Sequence, residues 1–228
     1  MEEREAALYA ALRQRALENL RHTGGPPGKR SLQILAEIMK LRRACCNPRL
    51  VLPETEIPSA KLTLFAKLVT ELRENGHKAL VFSQFVDHLS LVREHLDREG
   101  ISYRYLDGST PSRERQRQVQ EFQAGHGDLF LISLKAGGVG LNLTAADYVI
   151  HLDPWWNPAV EDQASDRAHR IGQKHPVTIY RLVAKNTIEE KIVHLHHEKR
   201  ALADSLLEGT DICHAMNPGD LLRLLKES

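Results

Sequence analysis

The sequence of 228 residues lacks the cysteine patterns and long apolar runs that mark several classes of protein. Its three cysteines include no Cys-x-x-Cys pair, which argues against a disulfide scaffold and against most structural zinc sites. Apolar stretches such as residues 129–132 are far shorter than the roughly 20 residues that span a bilayer. No secretory leader is expected, because positions 2–5 read Glu-Glu-Arg-Glu. These absences favour a soluble, intracellular protein of a reducing compartment, with no membrane partner.

Two parts that usually hold a nucleoside triphosphate are also missing. Residues 24–29 (GGPPGK) superficially resemble a phosphate-binding loop, but Thr23 stands where the motif needs its first glycine, and Arg30 replaces the required Ser or Thr. The two prolines would remove amide donors, so we interpret this segment as a linker. The chain contains no Asp-Glu dipeptide that could act as an acidic box for Mg²⁺.

What the sequence does contain is an alternation of helix and strand patterns from position 59 onward. Helices are predicted over 1–22 and, capped by Ser31, to about Cys46; the later ones cover 59–75, 86–98, 111–123, 158–171 and 187–207, with a short one after Pro218. Strands are predicted over 79–82, 101–106, 129–134, 148–152 and 177–183. Alternation of this kind predicts an α/β fold with a parallel sheet, in which ligands bind at the carboxyl ends of the strands.

A glycine-rich segment follows the third predicted strand. Residues 135–143 (KAGGVGLNL) contain three glycines, which would let a phosphate or another backbone approach closely. A tight turn with close helix–sheet packing explains the same pattern equally well.

The predicted helix 158–171 carries a stripe of possible anion-binding groups. Gln163, Arg167 and Arg170 are spaced four and three residues apart, so they would share one helical face. Two guanidinium groups beside an amide suit phosphate oxygens. Ion pairs on a surface helix, such as Asp166 with Arg170, would explain the spacing too.

Three other clusters are interpreted as structural. The histidines near position 195 would not converge on a metal from one helix, so they are expected on a solvated helix face and no metal site is predicted there. The paired cysteines and paired tryptophans are expected to pack. These residues are His194, His196, His197, Glu198, Cys45, Cys46, Trp155 and Trp156.

Residues 131–173 (LISLKAGGVGLNLTAADYVIHLDPWWNPAVEDQASDRAHRIGQ) resemble the C-terminal helicase lobe of the SWI/SNF-type ATPases, which are DNA translocases of helicase superfamily two. Four other segments agree in order along the chain. They are 41–50 (LRRACCNPRL, the helical lead-in), 78–85 (KALVFSQF, motif four), 106–110 (LDGST, the next segment) and 187–207 (TIEEKIVHLHHEKRALADSLL, the brace helix). The resemblance covers about residues 31–207.

The resemblance implies two RecA-like lobes with ATP and DNA in the cleft between them. The first lobe would carry the phosphate-binding loop and the acidic box, so ATP and Mg²⁺ would be held mainly outside this chain. By the family pattern Arg170 would be the arginine finger, with Arg167 beside it, Gln163 coupling the site, and Gly138 and Gly140 near the interlobe site. The residues implied to line the DNA backbone groove are Ser83, Gln84, Gly108, Ser109, Thr110, Lys135 and Asn142.

The expected organisation is a helical lead-in over residues 1–58, a RecA-like lobe over 59–186, and a brace helix with tail over 187–228. We expect a lobe cut from a longer protein. It would act on double-stranded DNA together with the N-terminal lobe of the same protein, and a DNA-bound protein is a further candidate target, as for chromatin remodellers. The location would be the cytoplasm or nucleoid of a prokaryote or the nucleus of a eukaryote, and the isolated chain should not hydrolyse ATP. Two alternatives stay open: a docking module for DNA or protein without ATP chemistry, and an RNA-directed member of the superfamily, which the ending 170–173 (RIGQ) disfavours.

Overall fold

The computed structural model describes residues 1–21, 27–136, 141–169, 172–173, 176–203, 222 and 225. The helices are α1 (Glu3–Arg21), α2 (Pro27–Cys46), α3 (Ala60–Glu74), α4 (Val86–Arg98), α5 (Ser112–Gln123), α6 (Pro158–Ser165) and α7 (Ile188–Ala203), with a short 3₁₀ turn at Pro48–Leu50. The strands are β1 (Ala79–Ser83), β2 (Tyr103–Leu106), β3 (Leu129–Ser133), β4 (Tyr148–His151) and β5 (Thr178–Arg181). No helix in these ranges has the length and apolar character needed to cross a bilayer.

The five strands form one sheet in which all neighbouring pairs are parallel, in the order β2-β3-β1-β4-β5. The predicted α/β class with a parallel sheet is therefore confirmed. Every residue of the central strands β1 and β3 is buried, as near-continuous apolar strands require when helices cover both faces. In the register, Ser83 lies opposite Ser133, so the carboxyl ends of β1 and β3 meet at one edge.

The chain divides into two compact units. The helical unit comprises Met1–Lys61 and Val183–Ser228, and the sheet unit comprises Leu62–Leu182. The sequence predicts a helical lead-in over 1–58, a RecA-like lobe over 59–186 and a brace with tail over 187–228. These functional roles stay a prediction.

The core of the sheet unit has two layers because side chains alternate between the two faces of a strand. On one face, Val81 packs with residues of α3 and α4. On the other face, Phe82 packs with residues of α5 and with Ala164 of α6. The carboxyl-end loops of β1 and β3 thus follow strands that are covered on both faces.

The helical unit is held by buried polar contacts around the start of α7. The Ile188 amide donates to the Tyr9 hydroxyl at 2.8 Å, and the Lys61 ammonium pairs with Glu189 at 2.6 Å in the interior. Cys45 and Cys46 are both buried, as predicted, and burial raises the pKa of the Cys45 thiol.

Several predicted boundaries differ from the observed ones. Helix α2 begins at Pro27, so Ser31 lies inside it rather than at its cap; proline suits a first helical turn, where its missing N–H has no helical acceptor. Residues 22–26, which include the first half of the predicted linker, lie outside the described residues, as does most of the segment after Pro218. The other half, residues 27–29, is the first turn of α2, so the linker prediction is wrong there. The largest difference is in α6, which ends at Ser165 instead of position 171.

Candidate functional site

The candidate site lies at the carboxyl ends of the parallel strands in the sheet unit. Its first element is a buried carboxylate, Asp153, two residues after β4. The Ser83 hydroxyl at the end of β1 donates to this carboxylate, and the Gln84 amide lies 3.2 Å and 3.3 Å from its two oxygens. Asp153 is 1% exposed, and it ties the end of β1 to the turn after β4.

This arrangement determines where two predicted groove residues lie. The Ser83 hydroxyl is fully buried and also accepts from the Phe85 amide at 3.1 Å, which fixes the turn into α4. Gln84 is half-buried directly after it. Ser83 therefore shapes the turn that carries Gln84 and does not itself reach the surface.

The second element is the turn after β2. The Asp107 carboxylate accepts from the Ser109 amide at 2.8 Å, from the Ser109 hydroxyl at 2.6 Å and from the Thr110 hydroxyl at 3.3 Å. The Ser109 hydroxyl is the main reason why the pKa of Asp107 lies below its ordinary value; burial opposes it, and the Tyr105 hydroxyl adds to the lowering. Gly108 and Ser109 are exposed, and a Cβ at Gly108 would meet nothing within 4 Å.

The third element flanks the glycine-rich segment. Lys135 and Asn142 are exposed on either side of it, while Gly138 and Gly140 lie outside the described residues. The Arg115 guanidinium on α5 donates to the Ala136 carbonyl at 2.5 Å and so anchors the chain where it enters the segment.

The fourth element is α6 and the turn that follows it. Asn157 caps the helix by accepting from the Ala159 amide at 3.1 Å, and Pro158 is its first residue. Glu161 is fully buried, where it accepts from the Trp155 amide at 2.7 Å and pairs with Arg181 at 2.8 Å. These contacts fix the start of α6 against the turn after β4.

The end of α6 overturns one prediction from spacing. Gln163 is exposed on the helix, whereas Arg167 lies in the turn beyond it and is only 4% exposed, so the two do not share a helical face. The helix ends where its hydrogen bonds shorten their span: the Arg167 amide donates to Ala164 O at 3.4 Å and the Ala168 amide to Ser165 O at 3.1 Å, each three residues back. In the turn that follows, the Leu143 amide donates to Arg167 O at 3.0 Å, and the Gln173 side chain donates to Ala168 O at 3.2 Å. Arg170 lies outside the described residues.

A buried histidine at the end of β4 contacts both the sheet and α6. His151 is buried at the end of β4, stacks on Phe82 with ring centroids 5.5 Å apart, and lies 3.0 Å from the Ser165 hydroxyl through Nε2. Burial lowers the pKa of His151 to about 4. Trp156 is buried and Trp155 half-buried, consistent with the predicted packing role.

The histidines of α7 give no geometric support for a metal site. His194 is exposed and His196 is buried, and the side chains of His197 and Glu198 lie outside the described set. The prediction that they hold no metal stays a prediction.

Sequence reasoning missed three residues that build this site, namely Asp153, Glu161 and Gln173. All three stand inside the segment used for the resemblance, but no spacing singled them out. Their function is visible only from their donors and acceptors, which come from other elements.

Comparison with known proteins agrees with this architecture. Residues 60–172 match the helicase conserved C-terminal domain. An uncharacterized ATP-dependent helicase of Mycoplasma pneumoniae is 41% identical over 221 residues, which cover 96% of this chain and 21% of that protein. The chain spans about a fifth of the length of the curated relatives it matches.

Solved structures extend the likeness to the whole chain. The C-terminal domain of the Sulfolobus solfataricus SWI2/SNF2 ATPase has a TM-score of 0.79 and 29% identity, covering 100% of this chain and 95% of that one. The core of the same ATPase in complex with double-stranded DNA has a TM-score of 0.78 and 30% identity, covering 100% and 46%. With its five-stranded parallel sheet and its helicase domain match, the chain belongs to the SWI/SNF-type ATP-dependent helicase family, as a RecA-like C-terminal lobe.

Proposed function

We propose that the chain is the second motor lobe of a DNA-stimulated ATPase that translocates on double-stranded DNA. The observation that carries this proposal is the alignment of the entire chain with part of a SWI2/SNF2 core bound to double-stranded DNA. In the proposal, residues 1–58 lead into the lobe from the first motor lobe, and residues 187–228 brace it.

ATP and Mg²⁺ would be held mainly by that first lobe. Arg170 would reach the phosphates from across the cleft as an arginine finger and stabilise the charge that develops during phosphoryl transfer. Arg167 is 4% exposed, so its guanidinium would assist only after turning outward. Gln163 is exposed and would couple the site, with Gly138 and Gly140 beside the nucleotide.

DNA would lie along the strand ends. The exposed groups there that can hold phosphates without reading bases are the Asn142 amide and the Lys135 ammonium. The exposed Ser109 would donate to a phosphate only after its hydroxyl leaves Asp107. Gly108 leaves room for close approach of a backbone, and Thr110 and Ser83 shape the turns that present Ser109 and Gln84.

The test is phosphate release by the full-length protein, or by this chain mixed with the first lobe, with and without duplex DNA. Arg170→Ala should lower DNA-stimulated turnover by about 10³-fold or more while DNA affinity is retained. Arg98→Ala is the matched control, because Arg98 is an exposed arginine of α4 paired with Glu94. The chain alone should release no phosphate.

A titration with duplex DNA in the same assay tests the proposed DNA binding separately from ATP hydrolysis. Lys135→Ala should raise the DNA concentration needed for half-maximal stimulation and should reduce the salt dependence of binding by about one phosphate contact. A rate of ATP hydrolysis that changes neither with DNA nor with the Arg170→Ala substitution would contradict the proposed motor function. The chain would then be a docking module without ATP chemistry, and competition with RNA would test the RNA-directed alternative.

A further inference from the structure

The carboxamide of Gln173 joins two backbone segments of the sheet unit. Its nitrogen lies 3.2 Å from the Thr144 carbonyl, 2.8 Å from the Ala146 carbonyl and 3.2 Å from the Ala168 carbonyl. Thr144 and Ala146 belong to the loop that leads into β4, and Ala168 belongs to the turn after α6. The two N–H groups of one half-buried amide are thus shared among three acceptors.

The turn after α6 depends on such contacts because its carbonyls lie beyond the end of the helix and have no helical donors. The carbonyl of Arg167 receives the Leu143 amide at 3.0 Å, and the next carbonyl, that of Ala168, receives Gln173. Two consecutive residues of this turn, one of them Arg167, are therefore bound to the same loop, residues 143–146.

We infer that Gln173 is a positioning residue of the proposed ATP site. By binding both segments it holds the turn that carries Arg167 in fixed register against the loop that follows the glycine-rich segment. Arg167 would then be held at a fixed place beside the cleft, and Arg170 follows it three residues later in the sequence. Gln173 acts through the backbone and touches no phosphate itself, and the inference rests on the proposed function.

Variants at position 173 separate the donor from the shape of the side chain. Gln173→Glu keeps the shape but replaces the donor by a charged acceptor facing three carbonyl oxygens, and Gln173→Met keeps the length without polar atoms. Gln173→Lys retains N–H donors at a similar reach. The matched control is Gln123→Met, because Gln123 of α5 binds the same loop, through the Ala145 amide at 2.8 Å, in a contact that does not involve Ala168.

The functional measurement is steady-state ATP hydrolysis by the full-length protein at saturating duplex DNA. Gln173→Glu and Gln173→Met should lower kcat by roughly ten- to a hundred-fold, as expected for a catalytic group displaced by about 1 Å, with the KM for ATP nearly unchanged. Gln173→Lys should recover most of the loss, and Gln123→Met should resemble the wild type.

The structural measurement is hydrogen exchange in the same full-length proteins without nucleotide. The Leu143 amide should exchange faster in Gln173→Met and Gln173→Glu but not in Gln173→Lys, while the amides of β1 stay protected and show that the fold is intact. Wild-type kcat in Gln173→Met, or an equal loss in Gln123→Met, overturns the inference. A wild-type protein without DNA-stimulated turnover overturns the proposed function, whereas the exchange data still decide whether Gln173 holds the turn.

Discussion

Lowering the pH from 7.5 to 5 should destabilise the sheet unit, and His151 should account for about 2 kcal/mol of the loss in free energy of unfolding. The ring of His151 is enclosed between Phe82 and Ser165 at the end of β4, where water does not reach it. Burial penalises the imidazolium, so the pKa of His151 falls from 6.5 to about 4. The folded state therefore keeps the ring neutral over a range in which the unfolded chain protonates it.

The direction and size of the effect follow from proton linkage. Because the folded-state pKa is lowered, the stability that the neutral ring contributes is fully present above pH 6.5 and is lost as the pH falls toward 4. The complete loss corresponds to about 3 kcal/mol, at about 1.4 kcal/mol for each tenfold change in proton affinity. About 2 kcal/mol of it falls between pH 7.5 and pH 5.

Urea denaturation at the two pH values, followed by tryptophan fluorescence, measures this loss. Both tryptophans of the chain, Trp155 and Trp156, belong to the sheet unit and report on it. Other histidines and carboxylates also titrate, so the comparison is with His151→Gln, which should lose about 2 kcal/mol less than the wild type over the same interval. His194→Gln, at an exposed position, should behave as the wild type. Equal losses in the wild type and in His151→Gln would refute the reasoning.

Two further predictions concern buried carboxylates. Lys61→Met should cost the helical unit about 3–5 kcal/mol in urea denaturation followed by circular dichroism, because it removes the ammonium that pairs with the buried Glu189 carboxylate. The double variant with Glu189→Met should recover a large part, and an equal cost in both would contradict this. Glu161→Ala should cost about 1–3 kcal/mol, since the Trp155 amide loses the Glu161 acceptor and Arg181 loses the nearer of its two carboxylate partners, Glu161 and Asp162. Glu161→Gln should cost less because it still accepts from that amide, and an alanine variant as stable as the wild type would show that the contact is dispensable.

The order of helices and strands could be predicted from the sequence because it depends on local patterns. Strands β1 and β3 are near-continuous apolar runs buried on both faces, and they appear within one or two residues of their predicted ends. The end of α6 could not be predicted in this way. Helical periodicity continues past Ser165, but the amides of Arg167 and Ala168 donate to carbonyls three residues back, and donors from Leu143 and Gln173 hold the turn that follows.

Residue types at the site could be predicted through the resemblance, but their orientation could not. Ser83 was expected to face DNA, whereas its hydroxyl is committed to a carboxylate 70 positions away in the chain. Asp153 and Glu161 gave no signal because a charged residue in a sequence is normally assigned to the surface. Only the folded chain brings the Arg181 guanidinium to Glu161 and the end of β1 to Asp153.

The three carboxylates at the strand ends explain how this edge can meet a polyanion. An exposed carboxylate would repel DNA phosphates, yet Asp153 and Glu161 are withdrawn into the interior, and each is already satisfied by hydrogen-bond donors. Asp107 remains near the surface, but Ser109 and its neighbours direct their donors at it and spread its charge. These three carboxylates thus shape the loops from within, and in the proposed function the amide of Asn142 and the ammonium of Lys135 would face a phosphate backbone.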